Sequence, residues 1–186
     1  MTESDAELGS TLLVLARNAI AAQLKQATTT TVDHPNLHKT AATFVTLTQN
    51  GQLRGCIGTL EAWRPLITDV QENACSAAFR DPRFVPLNID ELERTRVEVS
   101  LLSSPKTIHF QSEADAIAQL RPMIDGIIFT AGRHRSTFLP QVWEQLTNPA
   151  SFLAELKKKA GLPASYWAPN VQLERYTVEK WKEAIS

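Results

Sequence analysis

Asn50-Gly51 lies between two runs rich in β-branched and aromatic residues, Thr43 to Gln49 and Gln52 to Leu60. A pair of this kind calls for a tight hairpin. A type I′ turn needs positive φ at both central positions, and Asn-Gly adopts it at little cost. The two-residue loop then sets a register. Counted back from the turn, Arg54 faces Leu47, Gly55 faces Thr46 and Cys56 faces Val45. Strand alternation puts Arg54 and Cys56 on one side of the ribbon, with Leu53 and Ile57 on the other.

Helices and further strands surround this hairpin. Leu8, Leu12, Leu15, Ala16, Ala19 and Ile20 recur at helical spacing and predict a helix near residues 5–26. The Thr-rich stretch from Ala27 to Lys39, with His34-Pro35-Asn36, reads as a loop. Pro65 to Arg80 predicts a second helix with Leu66, Val70, Ala74 and Ala77 on one stripe, and Asp81-Pro82 stops it. Arg94 to Leu102 reads as a strand, and Thr107 to Phe110 as an extension of the same sheet. Ser112 to Leu120 is a short capped helix. Gly126 to Ala131 is an apolar strand, Gly132 to Ser136 a turn and Thr137 to Leu139 a returning strand. Pro140 to Leu146 is helical. Asn148-Pro149 opens a helix to Lys159 with Gly161 just past its end, and Val171 to Trp181 is a closing strand. Strands and helices mix without βαβ regularity. The expectation is therefore an α+β fold with a mostly antiparallel sheet and packed helices.

Composition excludes several functions. The 186 residues suit one domain with room for a small subdomain, and 43% apolar content supplies a core. Nineteen basic against twenty acidic residues give a net charge of -1, so there is no strong nucleic-acid signal. No segment has the form of a signal peptide or a membrane span. Two cysteines cannot build a disulfide framework, and the chain reads as cytoplasmic with both thiols reduced. Neither a phosphate-binding glycine loop nor a metal-ligand set stands out, and no cofactor is expected. His34 and His38 have helical metal spacing but are separated by Pro35. Lys157-Lys158-Lys159 reads as a solvated helix end.

The chemistry-bearing segment is Leu53-Arg54-Gly55-Cys56-Ile57-Gly58. Arginine two places from a cysteine on a strand can favour the thiolate. Gly55 and Gly58 weaken a strand, and glycine there often marks a bulge or a place where a ligand or another backbone comes close. The plain alternative is a buried, inert thiol beside Val45 and Leu47. Asp81 and Arg83, on a proline-stiffened loop, either present a guanidinium to an anion or staple the loop to the sheet. Because one helix joins the hairpin to this loop, Arg54, Cys56, Gly58, Asp81 and Arg83 are expected around one concavity. Glu98, on the next strand, is a candidate partner for Arg54. Cys75, among alanines on a helix, reads as core.

That segment resembles the signature of the AMMECR domain family. The match continues through Ala77-Ala78-Phe79-Arg80-Asp81-Pro82-Arg83-Phe84, Glu98-Val99-Ser100, Asp125-Gly126 and Phe138-Leu139-Pro140-Gln141-Val142. It closes with Lys159-Ala160-Gly161-Leu162 and Trp167, so it spans nearly the whole chain. Met123-Ile124 departs from it, because a glycine is expected after Pro122. The resemblance implies an α+β fold with a larger and a smaller subdomain. It implies no settled activity, and it suggests a pathway shared with Memo-type and radical-SAM proteins.

Two functions remain open. One is a small-molecule-binding or accessory domain, for a small-molecule or protein partner, with Arg54, Gly55, Gly58, Asp81 and Arg83 at the ligand. The other is an enzyme that uses Cys56 as nucleophile on an anionic metabolite.

Overall fold

The structure, a computed structural model, describes residues 3–28 and 31–184. It divides into two compact units, Met1–Leu102 with Glu179–Ser186, and Ser103–Val178. No helix among the described residues is long and apolar enough to cross a membrane.

In the first unit, α1 (Glu3–Gln23) buries Leu8, Leu12, Leu15, Ala16 and Ile20, the stripe that sequence periodicity marks. Part of the following loop, residues 29 and 30, lies outside the described residues. In that loop His34 Nδ1 accepts the Asn36 N–H at 3.2 Å, so the ring caps the short 3-10 turn Pro35–His38. Next come β1 (Thr40–Gln49), β2 (Gln52–Gly58), the two-residue β3 (Arg64–Pro65), α2 (Leu66–Phe79) and β4 (Arg96–Leu102). The sheet order is β2-β1-β4-β9, with β3 paired to β1 and β9 spanning Val178–Lys182. Helices α1 and α2 cover one face of this sheet, where Val45, Leu47, Val97 and Val99 are fully or almost fully buried.

The hairpin turn forms where Asn-Gly places it, with φ 50° at Asn50 and 77° at Gly51. Its register departs from the simple count. Gln49 pairs with Gln52 and Thr48 with Leu53, but Leu47 then pairs with Gly55, Thr46 with Cys56 and Val45 with Ile57. Arg54 is the extra residue of a β-bulge, so Cys56 faces Thr46 and not Val45.

A buried polar cluster ties α2 to this sheet. Asp69 is fully buried and accepts from Thr43 N and Oγ1, Thr59 Oγ1, Arg64 Nε and Asn73 Nδ2. Sequence periodicity passed over it, although Asp69 and Asn73 interrupt the apolar stripe of Leu66 and Val70 at helical spacing.

The second unit holds β5 (Lys106–Ile108), α3 (Glu113–Gln119), β6 (Gly126–Ala131), β7 (His134–Phe138), α4 (Pro149–Lys159) and β8 (Val171–Tyr176). Its sheet runs β5-β8-β6-β7, with every pairing antiparallel. Of the stretch 107–110, expected to extend the first sheet, Thr107 and Ile108 instead lie in β5 of the second sheet, and the strand ends there. Residues 134–136, expected as turn, are strand. The closing strand is also two strands: it breaks at Thr177 and contributes β8 to one sheet and β9 to the other. Trp143 stacks on Phe152 with ring centroids 3.7 Å apart, at the centre of the second core.

Lys158 and Lys159 are exposed at the helix end as expected, but Lys157 is not. It is 1% exposed, bound to Glu113 and to the Ala164 carbonyl, and 5.3 Å from the Trp167 ring. The chain after Gly161 folds back over it, and only tertiary packing could show that.

The departure at Met123 keeps the turn that glycine would favour. Ile124 N donates to Arg121 O at 3.2 Å, Pro122 fills the second position, and Met123 sits at φ 66°. The turn is anchored by Asp125, which is fully buried and held by Arg121 and Arg175. A left-handed non-glycine residue costs about 1–2 kcal/mol, partly offset by the greater unfolded-state entropy of glycine. Because Met123 is 58% exposed, little packing opposes a change. Met123→Gly is expected to raise stability by about 0.5–1 kcal/mol. Urea unfolding checks this, and a loss of stability would contradict it.

Candidate functional site

Four residues of the signature have identifiable structural tasks. Gly55 lies under α2, where an added Cβ would sit 2.1 Å from the Ala77 carbonyl oxygen. Gly58 makes room for Phe44, whose ring an added Cβ would meet at 2.2 Å. Both glycines thus serve close approach, in one case to a backbone and in the other to a side chain. The Arg54 side chain is buried and donates to Glu91 from Nε at 2.9 Å and from Nη2 at 3.1 Å, with Nη2 also on the Val85 carbonyl. Ile57 packs partly against the first core.

The Arg54 partner is therefore Glu91. Glu98, the candidate from sequence, lies 3.6 Å from Lys182 instead. The hydrogen bonds from Arg54, helped by Asn88 N–H and Gln49, hold the Glu91 carboxyl down at about 2 against the drag of burial. The only sequence signal for Glu91 was its place three residues after Asn88, the spacing of a helix-capping box.

Cys56 is fastened through its backbone. Its N–H donates to Asp81 Oδ2 at 2.9 Å, and its carbonyl accepts from Arg83 Nη2 at 3.2 Å. Arg83 also grips Asp81, at 3.0 Å through Nε and 2.7 Å through Nη2. β2 is the edge of its sheet, and an edge strand leaves unpaired backbone groups. The Asp81–Arg83 pair closes that edge at Cys56. Asp81 and Arg83 thus staple the loop and also come together with Cys56. The Arg54 hydrogen bonds run elsewhere, to Glu91 and Val85.

The side chain of Cys56 is half-buried and its sulfur lies 3.2 Å from Thr46 Oγ1. Thr46 was missed in sequence because the register was counted straight back from the turn, although a glycine such as Gly55 can mark the bulge that brings Thr46 there. Cys56 and Cys75 are both free thiols. Cys75 Sγ lies 3.5 Å from the Ala19 carbonyl, and burial pushes its thiol up.

Charge around Cys56 is layered. The Asp81 side chain is 1% exposed while that of Arg83 is 54% exposed, so the carboxylate points in and the guanidinium out. Hydrogen bonds from Arg83, then those from the Cys56 and Arg83 backbones, hold the Asp81 carboxyl well below the usual carboxylate range despite its burial. Such a carboxylate is a weak base. Among the described residues no group of three or more His, Cys, Asp or Glu could hold a metal ion.

Fold and edge together define an α+β protein of two antiparallel sheets that presents a thiol on a pinned edge strand. The AMMECR1 family model matches residues 13–181, and the chain belongs to that family. A protein of Methanothermobacter thermautotrophicus is 37% identical over 180 residues, covering 94% of each chain. One from Thermotoga maritima is 39% identical over 144 residues, 76% of this chain and 78% of its own. The crystal structure of an uncharacterized protein from Pyrococcus horikoshii superposes with a TM-score of 0.76 at 32% identity. That match covers 94% of this chain and 91% of the other.

Proposed function

We propose that this protein is a non-catalytic, cytoplasmic binding domain that holds a small anionic ligand beside Cys56, at the outer edge of β2. It acts as an accessory component alongside Memo-type and radical-SAM proteins, the association that the family resemblance suggests. The observation that supports the ligand class is the orientation of the Asp81–Arg83 pair. Its negative end is buried and its positive end faces solvent, with one guanidinium nitrogen on the Cys56 carbonyl. A guanidinium fixed in this way suits a carboxylate or phosphate. Of the sequence candidates, Cys56 and Arg83 contact the ligand and Asp81 orients Arg83. Arg54, Gly55 and Gly58 shape the strand that carries them.

A second reading, Cys56 as nucleophile on an anionic metabolite, draws on the half-buried sulfur. The low basicity of Asp81 weighs against it, because a thiol nucleophile needs a base or another means of ionising.

Alkylation of Cys56 by iodoacetamide, followed by peptide mass, tests the binding reading. Inorganic phosphate and succinate serve as anionic probes. A probe at about ten times its dissociation constant is expected to slow Cys56 by about tenfold in the wild type and to have no effect in Arg83→Gln. Absence of protection by either probe, or equal protection in Arg83→Gln, would overturn it. A covalent adduct turning over on Cys56 would favour the second reading.

A further inference from the structure

The cross-strand partner of Cys56 depends on one residue. Without the bulge at Arg54, Cys56 would pair with Val45, which is fully buried against the helices. With it, every residue from Gly55 onward moves by one place. Cys56 then pairs with Thr46 and shares its face, opposite the one where Val45 and Leu47 meet the helices. Arg54 cannot slip back easily, because its guanidinium is tied to Glu91 and Val85.

We infer that Thr46 is the positioning residue of the Cys56 site. Its hydroxyl lies 3.2 Å from the sulfur. Threonine is stiff at χ1, and directly paired residues on neighbouring strands hold their Cβ atoms close, so this hydroxyl has little freedom to leave. It holds the thiol in one rotamer. When the sulfur gives up its proton, the hydroxyl donates to it, and a hydrogen bond to a charged acceptor is stronger than one to a neutral one. On its other side Thr46 pairs with Glu98, whose carboxylate is engaged by Lys182 at 3.6 Å. The bulge thus replaces an apolar neighbour of the thiol with a hydroxyl within hydrogen-bonding distance.

This inference concerns the same site as the binding reading but needs no ligand, so the two fail separately. The test is the iodoacetamide rate of Cys56 at neutral pH with no added anion, and Cys75 in the same sample is the internal control. Thr46→Val keeps β-branching and removes the hydroxyl; it is expected to slow Cys56 about fivefold and leave Cys75 unchanged. Thr46→Ser is expected to stay within about twofold of wild type. Should Thr46→Val fail to fold, Thr46→Ala against Thr46→Ser gives the same contrast. Equal rates in wild type and Thr46→Val, or no recovery with serine, would overturn the assignment. Thr46 dependence without anion protection would keep this inference and remove the binding reading, and the reverse result would do the opposite.

Discussion

Gly55→Ala is expected to destabilise the protein by about 3 kcal/mol, at the upper end of what overpacking costs. The added Cβ would stand 2.1 Å from the Ala77 carbonyl oxygen and 3.0 Å from its carbon. Those atoms belong to the backbone of α2 and cannot swing aside. The helix would have to lift from β2, and with it Ala74, Ala77 and Ala78 from the core they fill. Gly58→Ala should cost less, because its obstacle is the Phe44 ring, a side chain that can rotate. Urea unfolding of both variants measures the difference. A cost below about 1 kcal/mol for Gly55→Ala would show that α2 has slack the structure does not display.

The second large effect concerns Arg54 and Glu91. Both are buried, and removing one partner of a buried ion pair strands the other, at about 3–5 kcal/mol. Arg54→Met and Glu91→Leu are each expected to fall in that range. The double variant should recover most of the loss, because an apolar pair of similar size needs no desolvated charge. Acid supplies an independent check. The folded Glu91 carboxyl titrates at about 2, below the ordinary 4.5, so its contribution is complete above pH 4.5 and fades as pH falls toward 2. The stability gap between wild type and Arg54→Met should narrow over that window. A constant gap, or a double variant as unstable as the singles, would refute the ion pair as the source of stability.

The double variant also asks what the pair does to register. With both charges gone, the register is held only from its far side, by the Asp81 and Arg83 bonds to the Cys56 backbone. A strand that slides back by one would return Cys56 to Val45. Iodoacetamide reactivity of Cys56 in the double variant reads that directly.

The legible parts of this protein are the local ones. Asn50-Gly51 announces its turn because positive φ at two successive residues is a property of the turn itself. α2 and α4 could be placed nearly to the residue, since Pro65 and Asn148-Pro149 begin them and Asp81-Pro82 and Gly161 close them. The α+β architecture followed from the mixture of these elements. Arg83 and Asp81 could be associated with Cys56 because a single helix separates their segments. The missed features are polar groups whose partners lie far along the chain. Lys157 looks like any lysine at a helix end until the chain folds over it. Thr177 gives no sign that a continuous-looking strand divides between two sheets.

The amino-acid sequence by itself determined where this chain turns, which faces of its helices are apolar and which segment carries unusual chemistry. Each of those depends on neighbours within a few residues. The strand glycines allowed a bulge, but tertiary structure decided that one forms at Arg54, and through it that Cys56 meets a hydroxyl and not a valine. It did so through contacts reaching from residue 54 to 91 and from 56 to 81. The physical reason is that strand register is a collective choice. One inserted residue costs a local hydrogen bond, and a buried ion pair elsewhere in the fold is strong enough to hold it in place.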